Sequence, residues 1–417
     1  MAHDLLPVDD ALARILSAVG PLPSEVIPLT EALGRVTAEP VTARRTQPPV
    51  AVSAMDGYAA RAADLETCPV TLTRIGTSAA GAGFMRQLGD GHCVRIFTGA
   101  PVPEGADCIV IQEDVSIDRD EDGARVTIKE PVPSGTFVRP AGLDFKTGDV
   151  GVPAGRRMTA RDVGLSAGMN VPWITVHRRP RVAILATGDE IVRPGEPVGP
   201  DQIVSSNGYT LAALVRAIGG EPIDLGIAPD DADALRTMVR GAHGADVLVT
   251  TGGASVGDHD LVQSALADEG MGPNALDIGF WRIAMRPGKP LIFGHLGATP
   301  LLGLPGNPVS TVVCAMVFLR PMLEAMMGLP SGPVALSDAI LGSDLAENDK
   351  RQDYLRSTLH VTETGATVAT PFSRQDSSMM SRLAAAQALI VRAPFDPARK
   401  AGDPVRILSL QGGFVSI

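Results

Sequence analysis

Between residues 181 and 260 the chain alternates short apolar runs with amphipathic stretches, and few architectures accept that order. RVAILAT (181–187) precedes a helix expected from Asn207 to Ile218 and closed by Gly219-Gly220. IDLGIA (223–228), a helix after Asp231, and DVLVTT (246–251) then repeat the unit. Strands alternating with helices in this way predict a doubly wound parallel sheet with helices on both faces. The pattern continues with a helix over 260–269, strands in PLIFGHL and TPLLGLP, and a long apolar helix opening at Asn307-Pro308. Asn is favoured as an N-cap and Pro at the first helical position, so this start is the best marked in the chain.

Elsewhere the pattern changes. Asp9 and Asp10 precede ALARILSAV, an amphipathic helix with an acidic first turn, and 40–54 reads as a connector with a boundary near residue 50. From 68 to 129, short β runs (VTLTRIG, CVRIFTG, DCIVIQEDV, ARVTIKE) separated by Gly, Pro and Asp predict an all-β module. A Gly/Pro-rich segment with a short helix at 159–169 follows. After Gly328-Leu329-Pro330 only short strands remain, YLRSTLHVT, ATVATPF, ALIVRAP and PVRILSL, which fit a small β barrel or sandwich. A chain of 417 residues is expected to hold several domains of roughly 100–150 residues.

Composition excludes some functions. A formal net charge of −11 leaves no basic face for nucleic acid, so an anionic ligand must be held by a local cluster. The four cysteines, Cys68, Cys93, Cys108 and Cys314, form no CxxC pair and have no His at ligand spacing. They read as buried free thiols rather than a zinc site or a disulfide framework. The N-terminus lacks a basic n-region and the apolar run 311–319 is too short to span a bilayer, so a soluble cytoplasmic protein without membrane contact is expected.

The chemistry gathers at the expected carboxyl ends of the strands, where ligands of such sheets bind. Three loops lie there: TGDEIV (187–192), TTGGASVGD (250–258) and LPGNPVS (304–310). Gly252-Gly253 lets backbone N–H groups approach an anion, while Asp258 and Asp260 beside a phosphate imply a bridging divalent cation. In WRIAMRPGKP, read as a strand, Arg282 and Arg286 share a face and the following turn fixes Lys289 near the same point. This positive patch suits an oxyanion. Asp56 in SAMDGYAA, Thr98 in RIFTGAPVPEGAD, and Asp144 and Asp149 in RPAGLDFKTGD sit in Gly-containing turns and are weak signals alone. His243, His259 and His295 have no ligand spacing, and no Ser/His/Asp or Cys/His arrangement can be assembled.

Taken in order, SAMDGYA, FTGAPVPEGAD, RPAGLDFKTGD, LATGDEI, TTGGASVGDHD, RPGKP and GLPGNPVS make the chain resemble the molybdopterin molybdenumtransferase family, MoeA and the E domain of gephyrin-type proteins. The resemblance covers nearly the whole length. It implies an elongated homodimer with four parts per subunit: an elongated domain from 1–50 and 140–177, a β-rich domain inserted at 51–139, an α/β molybdopterin-binding domain at 178–328, and a β-barrel domain at 329–417. The implied reaction inserts molybdenum from molybdate into adenylated molybdopterin, giving the molybdenum cofactor and AMP with Mg²⁺.

The substrate would lie along Thr187, Gly188, Gly252, Gly253, Ser255, Arg282, Pro305, Asn307 and Pro308, with Asp230, Asp258 and Asp260 near the metal. Molybdate, a tetrahedral dianion, would meet Arg286, Lys289, Pro290, Ser310, Arg351 and Ser377, or the neighbouring hydroxyl of Ser378 in the looser match at QDSSMMSRL. Asp56, Thr98, Asp144 and Glu190 match positions whose change impairs family members and, with Asp260, are the implied catalytic residues; Asp56 and Thr98 would act across the dimer interface. The implied partners are a molybdopterin adenylyltransferase and molybdoenzymes or their chaperones. Adenylyl transfer to molybdopterin and a scaffolding role are the competing readings.

Overall fold

The computed structural model describes residues 5–252 and 276–411. Gly253, Ser255, Asp258 and Asp260, with the helix expected over 260–269, lie outside the described residues.

At the centre is a six-stranded sheet in the order Glu221–Ala228, Arg181–Thr187, Val247–Thr251, Thr299–Leu304, Ile292–Leu296, Leu276–Trp281. The first four are parallel, with Val182 opposite Val247 and Thr251 opposite Leu304. Ile292–Leu296 is antiparallel to both its neighbours: Leu296 and Thr299 close a tight hairpin in which Gly297 takes φ 59°, and Leu276–Trp281 on its other side runs in the direction of the first four. The sheet is therefore mixed where the strand pattern predicted parallel pairing throughout. Arg181–Thr187 is buried from its second residue onward, as a strand covered on both faces must be.

One continuous core joins this sheet to the N-terminal helix Val8–Ser17, through Val8, Leu12 and Ile15, and to the helix Pro308–Met326. That 19-residue helix is apolar and long enough to cross a bilayer, longer than the run 311–319 suggested. Yet 83% of its apolar window is buried inside the protein, which makes it a core helix. A π turn at Ala315–Leu319 interrupts it.

Residues on either side of the β module pair with one another: Ser24–Pro28 with Trp173–His177, Val41–Thr42 with Val150–Val152, and Val52–Ser53 with Val138–Arg139. The chain between them folds into a separate six-stranded sheet with packed faces on both sides. Near the return, Thr159 and Asp162 form a reciprocal capping box at the start of Ala160–Gly168.

The C-terminal strands close on themselves. Gln352–Val361, Thr367–Pro371, Ser337–Leu341, Pro404–Ser409 and Ala388–Arg392 neighbour one another in turn, and the last pairs back with the first, giving a five-stranded barrel. The short strand Met285–Arg286 adds to it in parallel, opposite Gln352 and Asp353. This pairing stitches the α/β unit to the barrel and decides the surroundings of Arg286.

A cleft at the carboxyl ends of the parallel strands

A cleft of about 670 Å³ opens at the carboxyl ends of the parallel strands. It is walled by Thr187, Glu190, Asn207, Thr251, Gly252, Pro290, Pro305, Asn307, Pro308 and Ser378, among others. Two helices begin in its wall, Asn207–Ile218 and Pro308–Cys314, and the positive ends of their dipoles favour an anionic guest. Gly252 has φ 91°, and a Cβ there would overlap the Thr187 carbonyl oxygen and stand 2.9 Å from Thr187 Oγ1. Only glycine lets the two strand ends meet this closely. Thr187 Oγ1 is itself buried with no hydrogen-bond partner among the described residues, which leaves a hydroxyl for a polar guest.

Asn207 locks the wall. Its side-chain amide donates to Thr251 Oγ1 at 2.8 Å and to the Gly306 carbonyl at 2.7 Å, tying two strand-end loops together. Asn207 entered the sequence reading only as a helix start, and the Ser-Ser-Asn run at 205–207 is the signal that could have marked it. Asn307 takes the N-cap position without a side-chain cap bond. Its carbonyl and that of Pro305 accept from Thr311 Oγ1 instead, at 3.0 and 2.6 Å.

On the far side of the 187–192 loop, Gly188 borders a second hollow of about 400 Å³ with Asp189 and Pro229. Asp230 donates its backbone N–H to Asp189 Oδ1 at 3.1 Å, which ties the Asp189 carboxylate to the neighbouring strand-end loop. Such hard oxygen donors suit Mg²⁺. Among the described residues, however, no three His, Cys, Asp or Glu side chains converge on one point. A site there must draw on other oxygens.

The basic patch differs from its expected form. The chain does not run as one strand through Arg282 and Arg286: the strand ends at Trp281, Arg282 takes φ 82°, Ile283 makes a lone bridge to Leu6, and a strand resumes at Met285. Arg286 then grips Asp353 through both edges of its fork, with Nε to Oδ1 at 2.8 Å and Nη2 to Oδ2. It also reaches Asn348 Oδ1 at 3.1 Å and Asp349 Oδ2 at 3.3 Å. Arg351 donates to the same Asp349 oxygen at 2.7 Å. The Asp353 hydrogen bonds raise Arg286 above its ordinary value, and the Arg351 hydrogen bonds hold Asp349 down to about 2. Lys289, half-buried and next to Pro290 of the cleft wall, has no side-chain partner among the described residues. The acids Asp349 and Asp353 were not anticipated, because only the strand register brings them to Arg286.

Ser310 is buried in the first turn of the core helix. Of the two C-terminal serines, Ser378 lines the cleft and donates its hydroxyl to Asp376, while Ser377 uses its carbonyl to accept the Val309 N–H at 3.1 Å.

Asp56 and Thr98 meet in the inserted module. The Thr98 N–H and Oγ1 donate to Asp56 Oδ1 at 2.7 and 2.8 Å, an exposed pair that does not line the cleft of its own chain. Asp144 is also exposed and outside the cleft wall. The backbone donor first, and then the hydroxyl, lower the Asp56 pKa. A depressed folded-state pKa means the contact favours the folded turn above the usual carboxylate range and is lost as pH falls through the lowered value. Thr98→Val is expected to move the Asp56 titration upward, followed by NMR of its carboxyl carbon. The N–H bond should preserve part of the shift, and an unmoved titration would disprove the hydroxyl's role.

Three family models match the chain: the MoeA N-terminal region (domain I and II) over residues 6–169, a probable molybdopterin binding domain over 183–325, and the MoeA C-terminal region (domain IV) over 338–410. The molybdopterin molybdenumtransferase of Haemophilus influenzae is 33% identical over 391 residues, 93% of this chain and 94% of its own. That of Bacillus subtilis is 30% identical over 411 residues, 97% of this chain and 94% of its own. A solved molybdopterin biosynthesis MoeA protein from Pyrococcus horikoshii superposes with a TM-score of 0.81 at 26% identity, covering 97% of this chain and 99% of that one.

Proposed function

The chain belongs to the molybdopterin molybdenumtransferase (MoeA) family of molybdenum cofactor enzymes, and from that premise we propose that it inserts molybdenum from molybdate into adenylated molybdopterin, releasing AMP. The observation that carries this reading is the cleft itself. It offers a glycine cradle at Gly252 and two helix N-termini to a phosphate-bearing guest, and its wall residue Pro290 follows Lys289, which has no side-chain partner among the described residues. Adenylated pterin lies along Thr187, Gly252 and Asn307, while the oxyanion is received at Lys289, Arg286 and Arg351. Asp230, together with Asp258 and Asp260, would hold Mg²⁺, which would supply charge to offset the phosphates and polarise the bond to AMP. A substrate that arrives adenylated requires an adenylyltransferase upstream and a molybdoenzyme, or its chaperone, to take the product.

Purified protein given adenylated molybdopterin, Mg²⁺ and molybdate is expected to release AMP and to reconstitute an apo-molybdoenzyme. Absence of AMP release would overturn this reading, and adenylation of free molybdopterin from ATP would replace it with the preceding step.

Because Asp56 and Thr98 lie away from the cleft of their own chain, we assign them to the cleft of a second subunit in a homodimer. Mixed dimers of Asp56→Asn and Gly252→Ala subunits are then expected to recover activity that neither variant has alone. Failure to recover, with dimers formed, would return the pair to its own chain.

A further inference from the structure

Two of the three cations assigned to the oxyanion are already answered by acids. Arg286 and Arg351 carry two positive charges, and Asp349 and Asp353 carry two negative ones, so an approaching dianion finds both guanidinium forks neutralised and only Lys289 without a partner among the described residues. The two acids differ in their settings. The Asp353 side chain is 2% exposed and is fixed by the register that pairs it with Arg286. The Asp349 side chain is 42% exposed and lies between the two guanidinium groups, accepting from Arg286 Nη1 at 3.3 Å and Arg351 Nη2 at 2.7 Å.

Though its Oδ1 also accepts the Arg351 N–H at 2.9 Å, Asp349 has backbone ties that do not depend on its carboxylate. Its carbonyl accepts the Phe395 N–H at 2.8 Å, and the adjoining Asn348 side chain donates to the Arg351 and Ala393 carbonyls, each at 2.8 Å. The side chain can therefore swing into solvent without unfolding the loop. A carboxylate bridging two guanidiniums occupies the position that a tetrahedral oxyanion would take, since each offers paired anionic oxygens to the same forks.

We propose that Asp349 is a built-in competitor for the oxyanion, filling the Arg286–Arg351 bridge and leaving it when the dianion binds, while Asp353 keeps Arg286 aimed. This rests on the oxyanion reading above. The consequence is selectivity: a guest must outbid a tethered carboxylate, which a dianion does more readily than a monoanion. Asp349 is a positioning residue in this scheme and touches no reacting atom.

Molybdate binding to the full-length protein, measured by calorimetry at neutral pH, tests the proposal. Asp349→Asn removes the charge and keeps the shape, and is expected to tighten molybdate about two- to fivefold, the scale of a partly exposed ion pair. Monoanionic nitrate, used as a competitor, should gain ground against molybdate in the same variant. Asp349→Glu, whose carboxylate still reaches the forks, should bind as wild type does. A purely structural residue would weaken binding when changed, so tightening is a result that damage cannot imitate. Unchanged or weaker binding in Asp349→Asn and in Asp349→Ser, with wild-type melting temperatures, would overturn the proposal. Lys289→Ala separates the two readings: if it loses molybdate while the Asp349 variants show no gain, the oxyanion site stands and the competitor falls. If wild-type binding ignores Lys289→Ala, both fall.

Discussion

Gly252→Ala is expected to abolish most of the molybdenum transfer while leaving the protein folded. Two costs coincide at this residue. Its φ of 91° is one that an L side chain adopts at a cost of roughly 1–2 kcal/mol. The added Cβ would also overlap the Thr187 carbonyl oxygen, which is backbone and cannot rotate away. The strand ends must then part, at the point where Asn207 binds Thr251 and Gly306 and where the helix at Pro308 opens. A displacement of about an ångström in a positioning element can cost on the order of a hundredfold in rate. We therefore expect kcat/KM for AMP release to fall about a hundredfold, with the melting temperature lowered by only a few degrees. Retention of half the wild-type rate would show that this turn does not cradle the substrate. Thr187→Val is the companion change: it deletes the buried, unpartnered hydroxyl without moving the backbone, and separates contact from geometry.

The parts legible in the sequence are those set by local pattern. RVAILAT and DVLVTT are continuous apolar runs of strand length between helices, and burial on both faces follows from that pattern alone. Once the strands are parallel, their carboxyl ends must share an edge, so Thr187, Glu190, Gly252, Pro305 and Asn307 fall in one cleft although they span over a hundred residues. What remained hidden depends on pairings between distant segments. Arg286 meets Asp353 across 67 residues because two short strands align in one register, and no periodicity records a register. The period-2 pattern of WRIAMR suggested a strand, but Arg282 adopts a positive φ that tertiary packing imposes against its own preference. Barrel and sandwich likewise differ here by a single extra pairing, Gln352–Val361 with Ala388–Arg392, between strands that would look the same in either fold.

The same long strand supplies the largest expected loss of stability. Arg356, 1% exposed, is the largest fully buried side chain described, and burial lowers its pKa without abolishing its charge. It faces the segment that carries Ser377 and Ser378. Its Nε donates to Gln375 Oε1 and its Nη1 to the Met379 carbonyl, both at 3.3 Å, while Gln375 Nε2 returns a bond to the Arg356 carbonyl at 3.0 Å. The Ser377 carbonyl in turn accepts from Val309 in the first turn of the core helix. Arg356→Ala leaves a void in the core and removes the side-chain donors from two half-buried acceptors, of which Gln375 Oε1 keeps the Arg356 N–H at 3.0 Å, at a cost of about 3 kcal/mol. Arg356→Met supplies the volume without a buried charge, and such replacements often recover stability because the desolvation of the ion disappears. It cannot recover the bonds to Gln375 and Met379. Thermal melting should therefore return toward wild type in Arg356→Met while KM for the adenylated substrate remains raised, since the cleft wall at Ser378 is no longer held. Recovery of both together would mean that Arg356 only fills space, and that the barrel contributes nothing directed to the cleft.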